Sequence, residues 1–235
     1  MMRRMDARRT WAALNNAQWC DAVVRSHGVE TDIDRDVWIA RTRTPPYYPD
    51  AVTLAPNPAI PGLLRRIDAS AGCSIKDSFA TLDLAPFGFR VLFEAQWLTR
   101  RLDVQTAAGD ERAWVRLHDA SELAAWETAW SGGLGAQGLF RADLLARRAV
   151  AVLAAYEADR IVAGAVLNRS TQVVGVSNVF SRPGRKHAAW RGCIARASTL
   201  YPAMTLVGYE SGDNLDIALD HGFETAGPLR VWIRD

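Results

Sequence analysis

Apolar and polar positions change period several times along this chain, and each change marks an element. Between residues 10 and 27, Trp11, Leu14, Trp19, Val23 and Val24 recur at imperfect helical spacing, and Gly28 ends the run, so a helix is predicted there. Val37–Arg41 is a short strand. Thr44–Asp50 carries Pro45, Pro46 and Pro49, which withhold amide donors that a central strand uses, so it is a loop. Ala51–Pro56 alternates like a strand. Pro61–Ala69 is predicted as a helix with Leu63, Leu64 and Ile67 as its buried stripe. A strand is expected near Ser74–Phe79 and another over Arg90–Thr99.

The stretch Arg101–Arg112 is polar, contains Gly109-Asp110, and is the best linker in the chain. It divides the sequence into a segment 1–105 and a segment 112–235. After it comes a strand over 113–118. Asp119 with Glu122 three residues on forms a capping-box-like start, followed by Leu123, Trp126 and Trp130 at helical spacing. The four glycines within Gly132–Gly138 make a loop, and Leu139–Arg148 is predicted as a helix. Strands from Val150, Ile161 and Val173 are joined by tight links and should form an antiparallel meander. A helix over His187–Leu200, a strand over Met204–Tyr209, a helix over Asp213–His221 ended by Gly222, and a strand over Leu229–Ile233 complete the order.

Composition narrows the function classes. Lys plus Arg is 28 and Asp plus Glu is 26, a net charge of +2, which leaves no basic surplus for nonspecific nucleic-acid binding. Nine tryptophans could form a base-stacking platform, but Trp11, Trp19, Trp38, Trp97, Trp126, Trp130 and Trp232 lie in apolar periodic contexts that suit core anchors better. Cys20, Cys73 and Cys193 are scattered and odd in number, with no Cys/His ligand spacing, so neither a disulfide framework nor a metal site is indicated. The basic N-terminus has no apolar run behind it, and no stretch reaches the ~18 apolar residues of a membrane helix. A soluble, cytoplasmic protein is expected.

The two segments echo one another. A strand, a proline-bearing loop and a helix occur at 51–67 and again at 176–194. Asp77–Phe89 parallels Ser211–Phe223, with Leu82-Asp83 matching Leu215-Asp216, and each Gly-Phe leads into a last strand carrying Trp97 or Trp232. Chance likeness of two short α/β segments is the alternative to duplication. The order of elements in 112–235, ending in Asn214–Phe223, resembles the GNAT N-acetyltransferases. The resemblance implies an α/β fold with a mixed, mostly antiparallel sheet flanked by helices. It also implies tandem lobes, a degenerate one over 1–105 and a complete one over 112–235.

In that family a strand splays from its neighbour to expose backbone to the pantetheine of acetyl-CoA, and a Gly-rich helix start holds the pyrophosphate. The resemblance places this at Val179–Gly192, with Val179 and Phe180 on the splayed strand and Arg185, Lys186, His187, Ala188 and Ala189 at the helix start. Arg182, Arg185 and Lys186 supply positive charge. The family's glycines are missing, and bulky Trp190 would narrow the cradle; a solvated basic turn is the alternative reading. The family's acid is a Tyr four residues before Gly-Phe, and here that position is Ala218. Asn214 falls one turn along the same helix, as a cofactor contact or a surface residue. A base must come from elsewhere. Glu210 at the strand end is the first candidate and Tyr209 the second, and by alternation they face opposite ways, so at most one should reach the cleft. The implied function is acyl transfer from acetyl-CoA or another acyl-CoA to an amine of a small molecule or peptide, with no metal, no nucleic acid and no membrane partner. The other reading is a non-catalytic GNAT-like binding or regulatory module.

Overall fold

The computed structural model describes residues 2–102, 114–133 and 138–235, with side chains from residue 7 onward. Its elements begin with α1 (Met2–Ser26), β1 (Thr31–Ile33), β2 (Val37–Ala40), β3 (Ala51–Thr53), α2 (Ile60–Leu64), β4 (Ser74–Asp77) and β5 (Phe89–Arg101). They continue with β6 (Trp114–Arg116), α3 (Ala120–Trp130), α4 (Asp143–Ala146), β7 (Val150–Glu157), β8 (Arg160–Arg169) and β9 (Val173–Ser181). The chain closes with α5 (Lys186–Leu200), β10 (Thr205–Glu210), α6 (Gly212–Asp220) and β11 (Glu224–Arg234). The expected linker falls mostly on residues 103–113, outside the described residues.

All the strands join one mixed sheet in the order β1-β2-β3-β4-β11-β5-β10-β9-β8-β7-β6. Two pairings are parallel, β3 with β4 and β9 with β10, and the rest are antiparallel. The pairing senses therefore read the same outward in both directions from the central β11–β5 ladder. That ladder also interleaves the two segments, because β11 of the second lies between β4 and β5 of the first.

Strand β7 shows why these runs are apolar throughout. Val150, Val152 and Ala154 pack with α1, α3 and α4 on one face, while Ala151, Leu153 and Ala155 pack with α5 on the other. A strand covered on both faces has no polar side to present. The helix α3 begins as expected: the Asp119 carboxylate accepts from Ser121 N at 2.7 Å and Glu122 N at 3.3 Å. Buried Glu127 on the same helix accepts the amides of Gly138, Leu139 and Phe140, and so fixes the end of the glycine loop.

Several boundaries differ from the periodic reading. Helix α1 starts at Met2, because nothing in residues 2–9 breaks a helix and a polar first turn needs no apolar stripe. The helices expected over 61–69 and 139–148 shrink to Ile60–Leu64 and Asp143–Ala146. Short turns bury Ile67 and Leu139 as well as a helix would. Strand β11 is twice the predicted length. Gly227-Pro228 sits where β11 pairs only with β5, and an edge tolerates proline. Five of the seven tryptophans read as core anchors are buried, Trp130 is partly so, and Trp11 is 37% exposed on the outer side of α1.

Helix α1 lies across the sheet and is latched by a reciprocal amide pair. Asn15 Nδ2 donates to the Asn168 carbonyl at 3.0 Å, and Asn168 Nδ2 donates to the Asn15 carbonyl at 3.0 Å. Both residues are buried. The pair occupies the space above Gly175, where a Cβ would lie 2.0 Å from Asn15 Oδ1. Asn168→Ala should lower unfolding free energy by roughly 1–3 kcal/mol in urea titration, the scale of a buried polar group left unpaired. Gly175→Ala should be at least as damaging, since the helix must lift to admit the methyl group.

Candidate functional site

Strands β9 and β10 pair over Thr205↔Val173, Leu206↔Val174 and Val207↔Gly175, and then part. Gly208 marks the fork: a Cβ there would lie 2.9 Å from the Val176 carbonyl oxygen. Beyond it β9 bulges. Its register against β8 steps from Ser177↔Val166 to Phe180↔Gly164, which leaves Asn178 and Val179 without partners in that register, and Asn178 has φ +53°. The fork opens into a cleft of about 280 Å³ lined by Val176–Val179, Val207–Glu210 and Asn214, and by Asn16, Tyr48 and Lys76 from the first segment.

The matching fork between β3 and β4 is closed. Ser78 N donates to Thr53 Oγ1 at 2.8 Å across it, and the Ser78 carbonyl accepts from Trp97 Nε1 at 2.8 Å and Arg9 Nε at 3.0 Å. The sheet thus offers a single open fork among the described residues.

The predicted site residues divide by sheet face. On β10, Leu206 packs toward α5 and Val207 toward α1, so alternation turns Glu210 to the α5–α6 side and Tyr209 to the α1 side. Both nevertheless line the cleft. The expectation that only one could reach it is corrected, because a gap between strands opens through the sheet to both faces. Around Glu210 the structure gathers two expected residues, Lys186 and Asn214. Lys186 Nζ donates to Asn214 Oδ1 at 2.9 Å, and Asn214 in turn hydrogen-bonds the Glu210 carboxylate. Burial pushes the Glu210 carboxyl up to about 7, against the lowering effects of the Asn214 hydrogen bond and the Lys186 charge. Tyr209 stacks edge-on against Trp97, with ring centroids 5.6 Å apart.

The helix start is less crowded than expected. Trp190 is buried against Phe223 beneath α5, with ring centroids 5.3 Å apart, so it stays out of the loop. Gly184, at φ +74°, supplies the turn into α5, and Arg185 is its N-cap residue. Lys186, His187 and Ala188 follow in the first turn, where amides lack intrahelical acceptors. Ala189 is buried in the core, and Arg182 is paired with Glu157. His187 lies 5.4 Å from the His221 ring, and burial followed by the nearby His187 charge holds His221 below its ordinary value. Val179 lines the cleft. Phe180 does not: its ring packs on Trp126 at 5.2 Å, on the α3 side, where it occupies the space above Gly164. Ala218 is fully buried.

Sequence reasoning missed Lys76, Asn15, Asn16, Tyr48 and Ser177. The available signal was the polar pair Asn15-Asn16 inside an otherwise apolar helical run. Lys76 stands in a strand that pairs with β11 only because of the interleaved order.

The Glu210 surroundings make a testable statement. Its folded value is raised above the ordinary 4.5, so folding stability should decline as pH rises from about 4.5 to about 7 and then level off. Carboxyl carbon shifts should follow a titration near 7. Asn214→Ala removes a hydrogen bond to the ionised form, so the midpoint should move higher.

No protein-family model matches the chain, and no curated protein matches it in sequence. Solved structures do. A GCN5-related N-acetyltransferase from Kribbella flavida superposes with a TM-score of 0.62 at 16% identity, over 95% of this chain and 95% of that one. A protein from Novosphingobium aromaticivorans assigned to the GNAT acetyltransferase family gives 0.55 at 15% identity, over 92% and 96%. A functionally unknown conserved protein from Staphylococcus epidermidis gives 0.57 at 10% identity, over 87% and 93%. These likenesses span 87–95% of the chain. The chain has the fold of the GNAT N-acetyltransferases.

Proposed function

We propose that this protein is an acyl-CoA-dependent N-acyltransferase, and the observation that carries the proposal is the open β9–β10 fork with a raised-pKa carboxylate on its rim. Acetyl-CoA, or a related acyl-CoA, fits the α5–α6 side of the sheet. Backbone at Asn178 and Val179 lies outside the β8 register, so it is available to a pantetheine amide or a thioester carbonyl. First-turn amides of α5 with Arg185 and Lys186 suit a pyrophosphate. The co-substrate supplies an activated acyl thioester. An amine enters from the α1 side.

Glu210 takes the amine's proton directly or through one water. A carboxyl poised near neutrality is suited to that task. Most of the rate enhancement would come from positioning and from amides aimed at the carbonyl oxygen. A thiolate leaving group needs little protonation, which suits a site with Ala218 where the family's tyrosine would stand. The mirrored pairing about β5 and β11 supports reading residues 1–105 as a shortened copy of the second half of 112–235, with its own fork closed by Ser78. A non-catalytic module with the same fold would show neither acyl-CoA binding nor thiol release.

Two measurements test the reading. Turnover, followed by thiol release, should rise with pH through about 7 and fall on the order of 10²–10⁴-fold in Glu210→Gln, with Tyr209→Phe within a few fold of wild type. Equal small losses in both variants would remove Glu210 as the base. In calorimetry, replacing Arg185 and Lys186 together by Ala should weaken CoA binding by roughly 1–3 kcal/mol. Unchanged affinity would take these residues out of the cofactor site.

A further inference from the structure

Lys76 is a lysine without a counter-ion in a place where lysine rarely goes unpaired. It is 4% exposed, on β4, at the α1 mouth of the cleft. Its Nζ donates to Asn16 Oδ1 at 2.8 Å and lies 4.2 Å from the centroid of the Tyr209 ring. The first neighbour is a carbonyl acceptor and the second presents its π face to the Nζ. Among the described residues no carboxylate comes within ion-pair distance of it. Besides Lys76 the cleft is lined by neutral polar groups, Asn15, Asn16, Tyr48, Ser177 and Tyr209 among them, and by one acid, Glu210. Glu210 leaves β10 toward the other face. A second group is also unused: the Ser177 hydroxyl is buried without a hydrogen-bond partner, and Ser177 lines the same cleft.

Burying a lone ammonium is costly unless something anionic arrives to meet it. An ammonium with spare donors and an unpartnered hydroxyl, both lining one cleft, offer donors to a carboxylate. A phosphate would call for a guanidinium cluster or a ring of amides, and this mouth has neither. From these observations we propose that Lys76, with Ser177, receives the carboxylate of the acceptor. The acceptor is then a small molecule carrying an amine and a carboxylate together, of the free amino-acid class. The amine part of this statement rests on the N-acyltransferase reading above. The carboxylate part rests on Lys76 and Ser177 alone. Its carboxylate would be held at the α1 mouth while its amine points into the fork toward Glu210, so the first segment would select the acceptor and the second would acylate it.

The test compares L-amino acids of acidic, aliphatic and aromatic type with their carboxamides. The amide keeps the amine and the side chain and removes only the negative charge. Calorimetry with the wild-type protein gives binding, and thiol release from acetyl-CoA gives KM and kcat. At least one free acid should bind more tightly than its amide by roughly tenfold or more, the scale of a charge-assisted hydrogen bond. Lys76→Met should bring that ratio to near one by raising KM for the acid, with the amide little affected. It should fold, since methionine is an unbranched side chain of similar length and adapts to the same space. If it does not fold, the wild-type acid-to-amide comparison still decides.

The two readings fail separately. Turnover of amides and simple amines with no preference for the free acid overturns the carboxylate site and leaves the acyltransferase standing. Tight binding of a free acid that depends on Lys76, with no thiol release on any amine, upholds the carboxylate site and overturns the acyltransferase. Absence of any binding or turnover of free acids, or a preference that survives in Lys76→Met, overturns the proposal.

Discussion

The ladder between β5 and β11 is the constraint on which the rest of this molecule depends. It runs from Glu224↔Thr99 to Arg234↔Phe89 and joins the last strand of one segment to the last strand of the other. Each of these strands then pairs outward with a strand of the opposite segment, β5 with β10 and β11 with β4. Backbone hydrogen bonds therefore tie together residues far apart in the chain, and neither segment can complete its sheet alone. Closing such long loops is entropically costly. The compensation is one continuous sheet with helices on both faces and no internal edge.

The exchange also builds the site. Lys76 and Tyr209 belong to different segments and come within 4.2 Å only because β4, β11, β5 and β10 lie side by side. Helix α1 then closes the same region from above. It brings Asn15 and Asn16 over Gly175, where the missing side chain lets the helix approach. The cleft consequently has a first-segment wall and a second-segment wall. The two faces of the sheet carry different groups, with a cation and neutral polar groups on the α1 side and the Glu210–Asn214–Lys186 chain on the other.

The fork itself lies where the parallel pairing of β9 and β10 ends. Parallel β9 and β10 share only three residue pairs before the bulge at Asn178 bends β9 away and Gly208 draws the backbones together at the point of parting. Its counterpart between β3 and β4 starts the same way and is stitched shut by Ser78. Two forks with the same strand sense thus differ in whether a loop bridges them. The carboxyl of Glu210 is raised because the open fork leaves it half-buried beside apolar core, with a single amide and one ammonium in partial compensation.

The sequence by itself determined the class of fold, the order of elements and the placing of Lys186, Asn214 and Glu210 at neighbouring element ends. Local information suffices for these, because a run of alternating apolar residues can only be a strand, Asp119 can only cap the helix begun at Ala120, and a basic turn before a helix carries its charge wherever the helix goes. Element ends were misjudged where a turn buries the same residues as a helix, as at Ile67, or where an edge shelters Gly227-Pro228. Tertiary structure alone decided that Tyr209 and Glu210 both border the gap, that Phe180 and Trp190 turn into the core, and that Lys76 and Ser177 line the same cleft. The physical reason is the same in each case. These outcomes depend on which strands are neighbours and on a gap that passes through the sheet, and strand order is set by pairing between residues more than a hundred positions apart, which no local pattern records.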